Sequence, residues 1–221
     1  MRYLSLALFA EGPSDHAFLQ RIIYRSVFEI AARLSDQPVE IPEQFVRGRR
    51  TDGHSGRVRS IPAAFADAIR LGAVNLLFIH TDAGNDAAAA LNDRVTPGCL
   101  SLHSACPDVS FGCIAVVPIR ETEAWALADA DALREEWGTR RANADLGLPL
   151  RTADVEGVAD PKATLRSAQH RASSRRIRAR NESIPAGLGD RVNLNVLRQM
   201  SAFTTFESCV EEGLKELWQI A

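Results

Sequence analysis

Nothing in this chain of 221 residues approaches the run of about 18 apolar residues that a membrane-spanning helix needs, so membrane insertion through helices is excluded. The apolar opening, Met1 to Ala10, runs straight into Glu11 without a small-residue cleavage pattern. It reads as a first strand and not as a signal peptide, and the expected location is cytoplasmic. Cysteine is scarce, and Cys99, Cys106, Cys113 and Cys209 form no Cys-x-x-Cys pair. That excludes a thioredoxin-type redox motif and a zinc ribbon. Reduced, packed thiols are the expectation, with the irregular set Cys99, His103, Cys106 and Cys113 as the zinc alternative. A phosphate loop is missing, because Gly187-Leu188-Gly189 follows no strand, and there is no nucleophile elbow around a serine. Charge of one sign is also lacking: the formal net charge is −2.

What is present has a repeating logic. Leu4 to Ala10 is an apolar run that ends at Glu11, with Gly12-Pro13 as a turn. Leu76-Leu77-Phe78-Ile79-His80-Thr81 ends at Asp82, and Ile114 to Arg120 ends at Glu121. Short continuous apolar runs of this kind are central parallel strands covered on both faces. Helical spacing from Phe18 to Leu34 places a helix after the first strand, with Ser14 as its cap. Val39–Val46 reads as a second strand and Ile61–Leu71 as a second helix with Pro62 in its first turn. An alanine-rich helix ends near Arg94, and Thr96–Asp108 reads as a loop. Thr122 opens another helix, and Asp131 caps a short one that stops at Gly138. After a loop over Arg140–Gly157, Asp160 and Pro161 open a helix running to about Arg180. Two last helices lie around Leu194–Met200 and Phe206–Ile220.

Strands alternating with helices predict an α/β fold, a mostly parallel central sheet with helices on both faces. The expected division is an α/β core over 1–139 and a helical, arginine-rich extension over 140–221 packed on it. In such sheets ligands bind outside the carboxyl ends of the strands, so all three terminal acids emerge on one edge.

The candidate metal ligands are Glu11, Asp15, Asp82, Asp86, Glu121 and Glu123. Carboxylates that would repel one another are tolerated around a hard cation such as Mg2+ or Mn2+, which orients phosphate and activates water. Asp15, Asp86 and Glu123 have an equally simple reading as acids favouring helix amino ends. Glu11 and Asp82, directly beyond buried strands, carry less of that burden. His80 reads as hydrogen-bonded structure beside Asp82, with assistance to a proton transfer as the alternative.

At these residues a resemblance enters. Glu11-Gly-Pro-Ser-Asp15 resembles the first motif of the Toprim (topoisomerase–primase) fold, and Asp82-Ala-Gly-Asn-Asp86 its second, usually Asp-x-Asp. Pro118-Ile-Arg-Glu-Thr-Glu-Ala-Trp125 and Asp160-Pro-Lys-Ala-Thr-Leu165 look like a bacterial family of short Toprim-like proteins. Those are paired with ATPases related to overcoming-lysogenization-defect nucleases. The resemblance implies magnesium-dependent phosphodiester hydrolysis in anti-phage defence and an ATPase partner; whether the chain forms a homo-oligomer stays open. It implies catalytic roles for Glu11 and Asp82, and matches Lys162 to a lysine near the scissile phosphate. Gly84 stands where the second acid of Asp-x-Asp belongs, which leaves a one-metal site or an inert partner subunit open.

Arginine is concentrated in two stretches. Arg166, Arg171, Arg175, Arg176, Arg178 and Arg180 follow Lys162 with no acid among them, and Arg47, Arg49, Arg50, Arg57 and Arg59 occupy a glycine-bearing loop. Guanidinium groups pair with phosphate, so DNA or RNA backbone contact is expected, with a solvated face as the plain alternative. No aromatics are interleaved, which argues against base stacking.

Overall fold

The computed structural model describes residues 1–49, 57–172, 184–185 and 187–220, with the backbone alone for 57–59. Four of the arginines singled out above, Arg175, Arg176, Arg178 and Arg180, lie outside the described residues, as does Arg50.

In chain order the elements are β1 (Arg2–Tyr3), β2 (Leu6–Phe9), α1 (Pro13–Leu34), β3 (Val39–Glu40), α2 (Arg57–Arg70) and β4 (Leu76–His80). There follow α3 (Ala87–Ala90), a π-helical turn (Leu91–Val95), α4 (Thr96–Ala105), β5 (Gly112–Val116), α5 (Thr122–Leu127) and α6 (Ala130–Glu136). The last are α7 (Asn143–Leu146), a 3-10 turn (Thr152–Gly157), α8 (Pro161–Ala172), α9 (Leu188–Arg191), α10 (Leu194–Leu197) and α11 (Ser201–Trp218).

The protein is α/β, with a three-stranded parallel sheet in the order β2-β4-β5 and a two-stranded parallel pair, β1-β3. Register sets Leu8 beside Phe78 and Phe78 beside Ile114, and side-chain alternation then sorts two cores. Leu6, Leu8, Leu76, Phe78, Ile114 and Val116 face a core shared with α1, α5 and the helices from α8 to α11. Ala7, Leu77 and Ile79 face a second core with α2 and α4. Helices therefore cover both faces, which is why the strands read as uninterrupted apolar runs. Trp125, fully buried, meets Phe203 edge-on at 5.1 Å and Phe206 at 5.8 Å, anchoring α5 to α11. No helix among the described residues is long and apolar enough to cross a membrane.

Several expected boundaries move. The cap of α1 is Gly12, with Pro13 as its first residue and Ser14 already helical. The expected strand 39–46 stops at Glu40, because Pro42 cannot donate to a ladder; the chain returns only at Val46, whose N–H bonds to the Leu6 carbonyl at 2.7 Å. The second helix begins at Arg57, so Pro62 lies inside it. The expected loop over 96–108 is helical to Ala105: α3 continues through the π turn into α4, and Pro97 sits in the first turn of α4 where its missing N–H costs nothing. Asp129, not Asp131, caps α6, accepting from the N–H groups of Asp131 (3.1 Å) and Ala132 (3.0 Å). The stretch expected as a loop over 140–157 contains α7 and the 3-10 turn.

The thiol expectation is corrected for one pair. Cys99 and Cys113 are joined as a disulfide that ties α4 to β5. Both sulfurs are thereby removed from the zinc set. Its other members are also engaged: Cys106 is buried against the Ala66 carbonyl, and the His103 ring stacks on Phe111 at 4.5 Å.

Candidate functional site

Parallel pairing brings the ends of β2, β4 and β5 to one edge, and the acids sort there by the partners each carboxylate finds. Asp82, just past β4, is the best held. Its Oδ1 accepts from the Thr122 N–H at 3.0 Å and the Thr122 hydroxyl at 3.4 Å, and lies 3.2 Å from His80 Nε2. Burial alone would raise this carboxyl; the bond and charge of His80, with the two Thr122 donors, outweigh it and hold Asp82 below the ordinary carboxylate range. His80 is fully buried, and its Nδ1 faces the Glu11 N–H at 3.5 Å. His80 thus orients Asp82, as its structural reading had it.

Glu11, past β2, reaches across to the same turn. Its Oε1 accepts from the Thr81 hydroxyl at 3.0 Å and the Asp82 N–H at 3.3 Å. Asp15, in the first turn of α1, is pushed up by burial and by the charges of Asp82, Glu123 and Glu11, against a downward pull from His80. Asp15 therefore feels three other acids, Glu11 past β2, Asp82 past β4 and Glu123 in α5.

Glu121 and Glu123 bracket Thr122 at the start of α5. Glu121 Oε2 and Glu123 Oε1 are buried without a hydrogen-bond partner. Glu123 is only 3% exposed, and its Oε1 lies 3.5 Å from Lys162 Nζ, an ion pair without hydrogen-bond geometry. Burial and the charge of Glu123 push the Glu121 carboxyl up; the Lys162 N–H draws it down, Asp82 pushes it up, and the Lys162 charge draws it down again. Lys162 arrives because Asp160 caps α8, its Oδ1 accepting from the Ala163 N–H at 2.7 Å, and Leu165 buries the helix beside α5.

Asp86 is elsewhere. Its Oδ1 accepts from the Ala89 N–H at 2.8 Å and caps α3, the plain reading of that residue. Gly84 has a positive reason to be glycine: its φ is +58°, and it pairs with Arg120 through reciprocal backbone bonds of 3.0 Å. Arg120 itself holds φ +69°, a strained value for a side-chain-bearing residue, immediately before Glu121. The bridge ties the Asp82 loop to the Glu121 loop, at the position where a second acid was expected.

Among the arginines within the described residues, Arg166 is exposed on α8. The Arg171 carbonyl accepts from Arg141 at 2.6 Å, and its guanidinium lies over Gly147. Three further residues of the site were not among the candidates. Thr81 and Thr122 hold the acids, and Arg94, placed by the π turn, donates to the Thr81 hydroxyl at 3.1 Å and the Asp82 carbonyl at 3.3 Å. The Glu121-Thr122-Glu123 pattern was the signal for Thr122; a helix-terminal arginine carried none.

No group of three His, Cys, Asp or Glu side chains among the described residues stands close enough to form a ready metal cage. The donor chemistry nevertheless fits a hard cation, since mutually repelling carboxylates and unpartnered buried oxygens share one edge. Comparison with protein-family models, curated proteins and solved structures finds no match for this chain.

Proposed function

We propose that this protein is a Toprim-like, metal-dependent phosphodiesterase acting on nucleic acid, working with an ATPase partner in anti-phage defence. The observation that supports it is the acid edge with a lysine on it: Glu11, Asp15, Asp82, Glu121 and Glu123 within electrostatic reach of one another, and Lys162 paired to Glu123. Magnesium in phosphoryl-transfer sites is held by one or two carboxylates plus waters and substrate phosphate, so a three-ligand cage is not required. Asp82 and Glu11 would hold such an ion, with Asp15 and Glu121 completing its surroundings. A bound cation would supply charge for the phosphate and a more acidic water. The chain's own residues do the rest. Thr122 and His80 keep Asp82 ionised and aimed, Thr81 positions Glu11, and Lys162 can exchange Glu123 for a phosphate oxygen. A cytoplasmic location is part of this reading, and the Cys99–Cys113 bond is the feature that sits least easily with it.

One observation favours a second reading. Gly84 and its backbone bridge to Arg120 occupy the place of the second Asp-x-Asp acid, as in a subunit that keeps the fold and docks on an ATPase without cleaving. Incubation of purified protein with DNA and RNA plus Mg2+ or Mn2+, with and without the ATPase, separates the two. Cleavage lost in Glu11→Gln and Asp82→Asn supports the enzyme. Cleavage unchanged in both sinks the site, and no cleavage with ATPase binding intact supports the docking subunit.

A further inference from the structure

The three-stranded sheet ends on β5, and the outer edge of that strand is open. Main-chain bonds from the β4 side run to alternate residues. The Gly112 N–H reaches the Asn75 carbonyl at 2.8 Å, and the Val116 and Pro118 carbonyls accept from the N–H groups of Thr81 and Ala83 at 3.1 Å each. Alternation therefore turns the N–H and C=O groups of Ala115 and Val117 away from β4. Among the described residues no hydrogen bond reaches those outward groups. Sheet edges are ordinarily guarded by charged side chains, yet residues 112–119 carry no charge. The edge forms the floor of a groove of about 330 Å³, through Ala115 and Val117. Ala88 and Leu91, from α3 and the π turn, stand on one side; Ala202 and Cys209, from α11, stand on the other. No charged side chain lines the groove among the described residues, and Leu91 is 39% exposed.

We infer that this groove receives one extended, uncharged, apolar segment of a partner protein, added to the sheet as a strand beside β5. The occupant follows from the two chemistries present. Outward main-chain donors and acceptors at ladder spacing are matched by another main chain in extended form, which presents its own groups at the same repeat. Apolar walls without charge fit apolar side chains that alternate toward α3 and toward α11, whereas a charged one would be desolvated there without a partner. A second copy of the chain fits less well. Its own β5 edge lies between the same two helices, so the two edges cannot meet without the helices colliding. The inference does not depend on the chemistry at the acid edge, and holds for an enzyme and for a docking subunit alike.

Fluorescence anisotropy with a labelled peptide of alternating valine and alanine, carrying a lysine at each end for solubility, tests the groove. The same peptide N-methylated throughout, which keeps the side chains and removes every main-chain donor, is the comparison. The plain peptide should bind saturably and shield Cys209, partly buried in the groove wall, from alkylation. The methylated peptide should bind at least about tenfold more weakly, the scale of a lost hydrogen bond or two. Ala115→Pro removes an outward N–H at an edge position where proline is tolerated, and should weaken the plain peptide about tenfold. Ala88→Trp, at an exposed position on α3, should weaken it as far by filling the groove. No saturable binding, equal binding of the methylated peptide, or wild-type affinity in both variants with unchanged melting curves overturns the inference. A dimer in sedimentation that Ala115→Pro abolishes assigns the edge to a second copy and overturns it too.

Discussion

The two ends of the acid edge are built differently. On the β2–β4 side, Glu11 and Asp82 have donors assigned to them: Thr81 and a main-chain N–H for one, Thr122 and His80 for the other. On the α5 side, Glu121 Oε2 and Glu123 Oε1 are buried without a hydrogen-bond partner, and Lys162 is the cation beside them. The first pair is organised before any ligand arrives. The second depends on one half-exposed lysine, and a buried carboxylate is costly without such a partner. The contrast suggests a division of labour, one side aiming a cation and the other holding a lysine ready for phosphate.

The largest effect should come from breaking the organised side. Asp82→Asn is expected to lower cleavage by about 10³-fold, the scale of removing one preorganised electrostatic group, with the fold retained by circular dichroism. Lys162→Met tests the other side. It leaves Glu123 buried and unpaired, and because Lys162 is half exposed the loss is expected at about 2 kcal/mol, short of a fully buried pair. Adding Glu123→Gln should restore the melting temperature but not cleavage, which separates a structural ion pair from a catalytic lysine.

Titration sharpens the comparison further. Asp82 is held below its ordinary value, so its contribution to stability is present above the unfolded carboxylate pKa and is lost as pH falls through the folded value. Glu121 and Asp15 are pushed up, so each favours the fold at acid pH, and that stability is lost as pH rises through their folded values. At neutral pH, Glu121→Gln should therefore raise Tm by about 2 °C, while Asp82→Asn lowers it. Mn2+ should raise the wild-type Tm at neutral pH, and the gain should shrink as pH falls and the carboxylates protonate. A melting series across pH, with and without Mn2+, reads all of this.

Much of this was legible in the chain. The three apolar runs located the strands, because strands covered on both faces are continuously apolar, but β5 stops at Val116 and not at the expected Ile119, five residues before Glu121. Lys162 beside the acids was reachable only through the Asp160-Pro161-Lys162 resemblance, since no spacing rule links α8 to α5. The helix over 96–105 was missed because a π turn shifts its periodicity out of step with α3. The Cys99–Cys113 link is a tertiary pairing that no spacing announces, and Gly84 looked like a defect until its left-handed backbone and its bridge to Arg120 gave it a purpose. The smallest expected effect concerns that link. Denatured, unreduced protein should titrate as two free thiols, Cys106 and Cys209, without altered cleavage after reduction.

If the organised side binds a divalent cation, binding depends on Glu11 and Asp82 and not on Asp86. Mn2+ binding followed by electron paramagnetic resonance, on wild type, Glu11→Gln, Asp82→Asn and Asp86→Asn, tests it most directly. Saturable binding is expected in wild type and in Asp86→Asn, whose carboxylate caps α3, and its loss in Glu11→Gln and Asp82→Asn. Equal binding in all four proteins, or none in wild type, would contradict it.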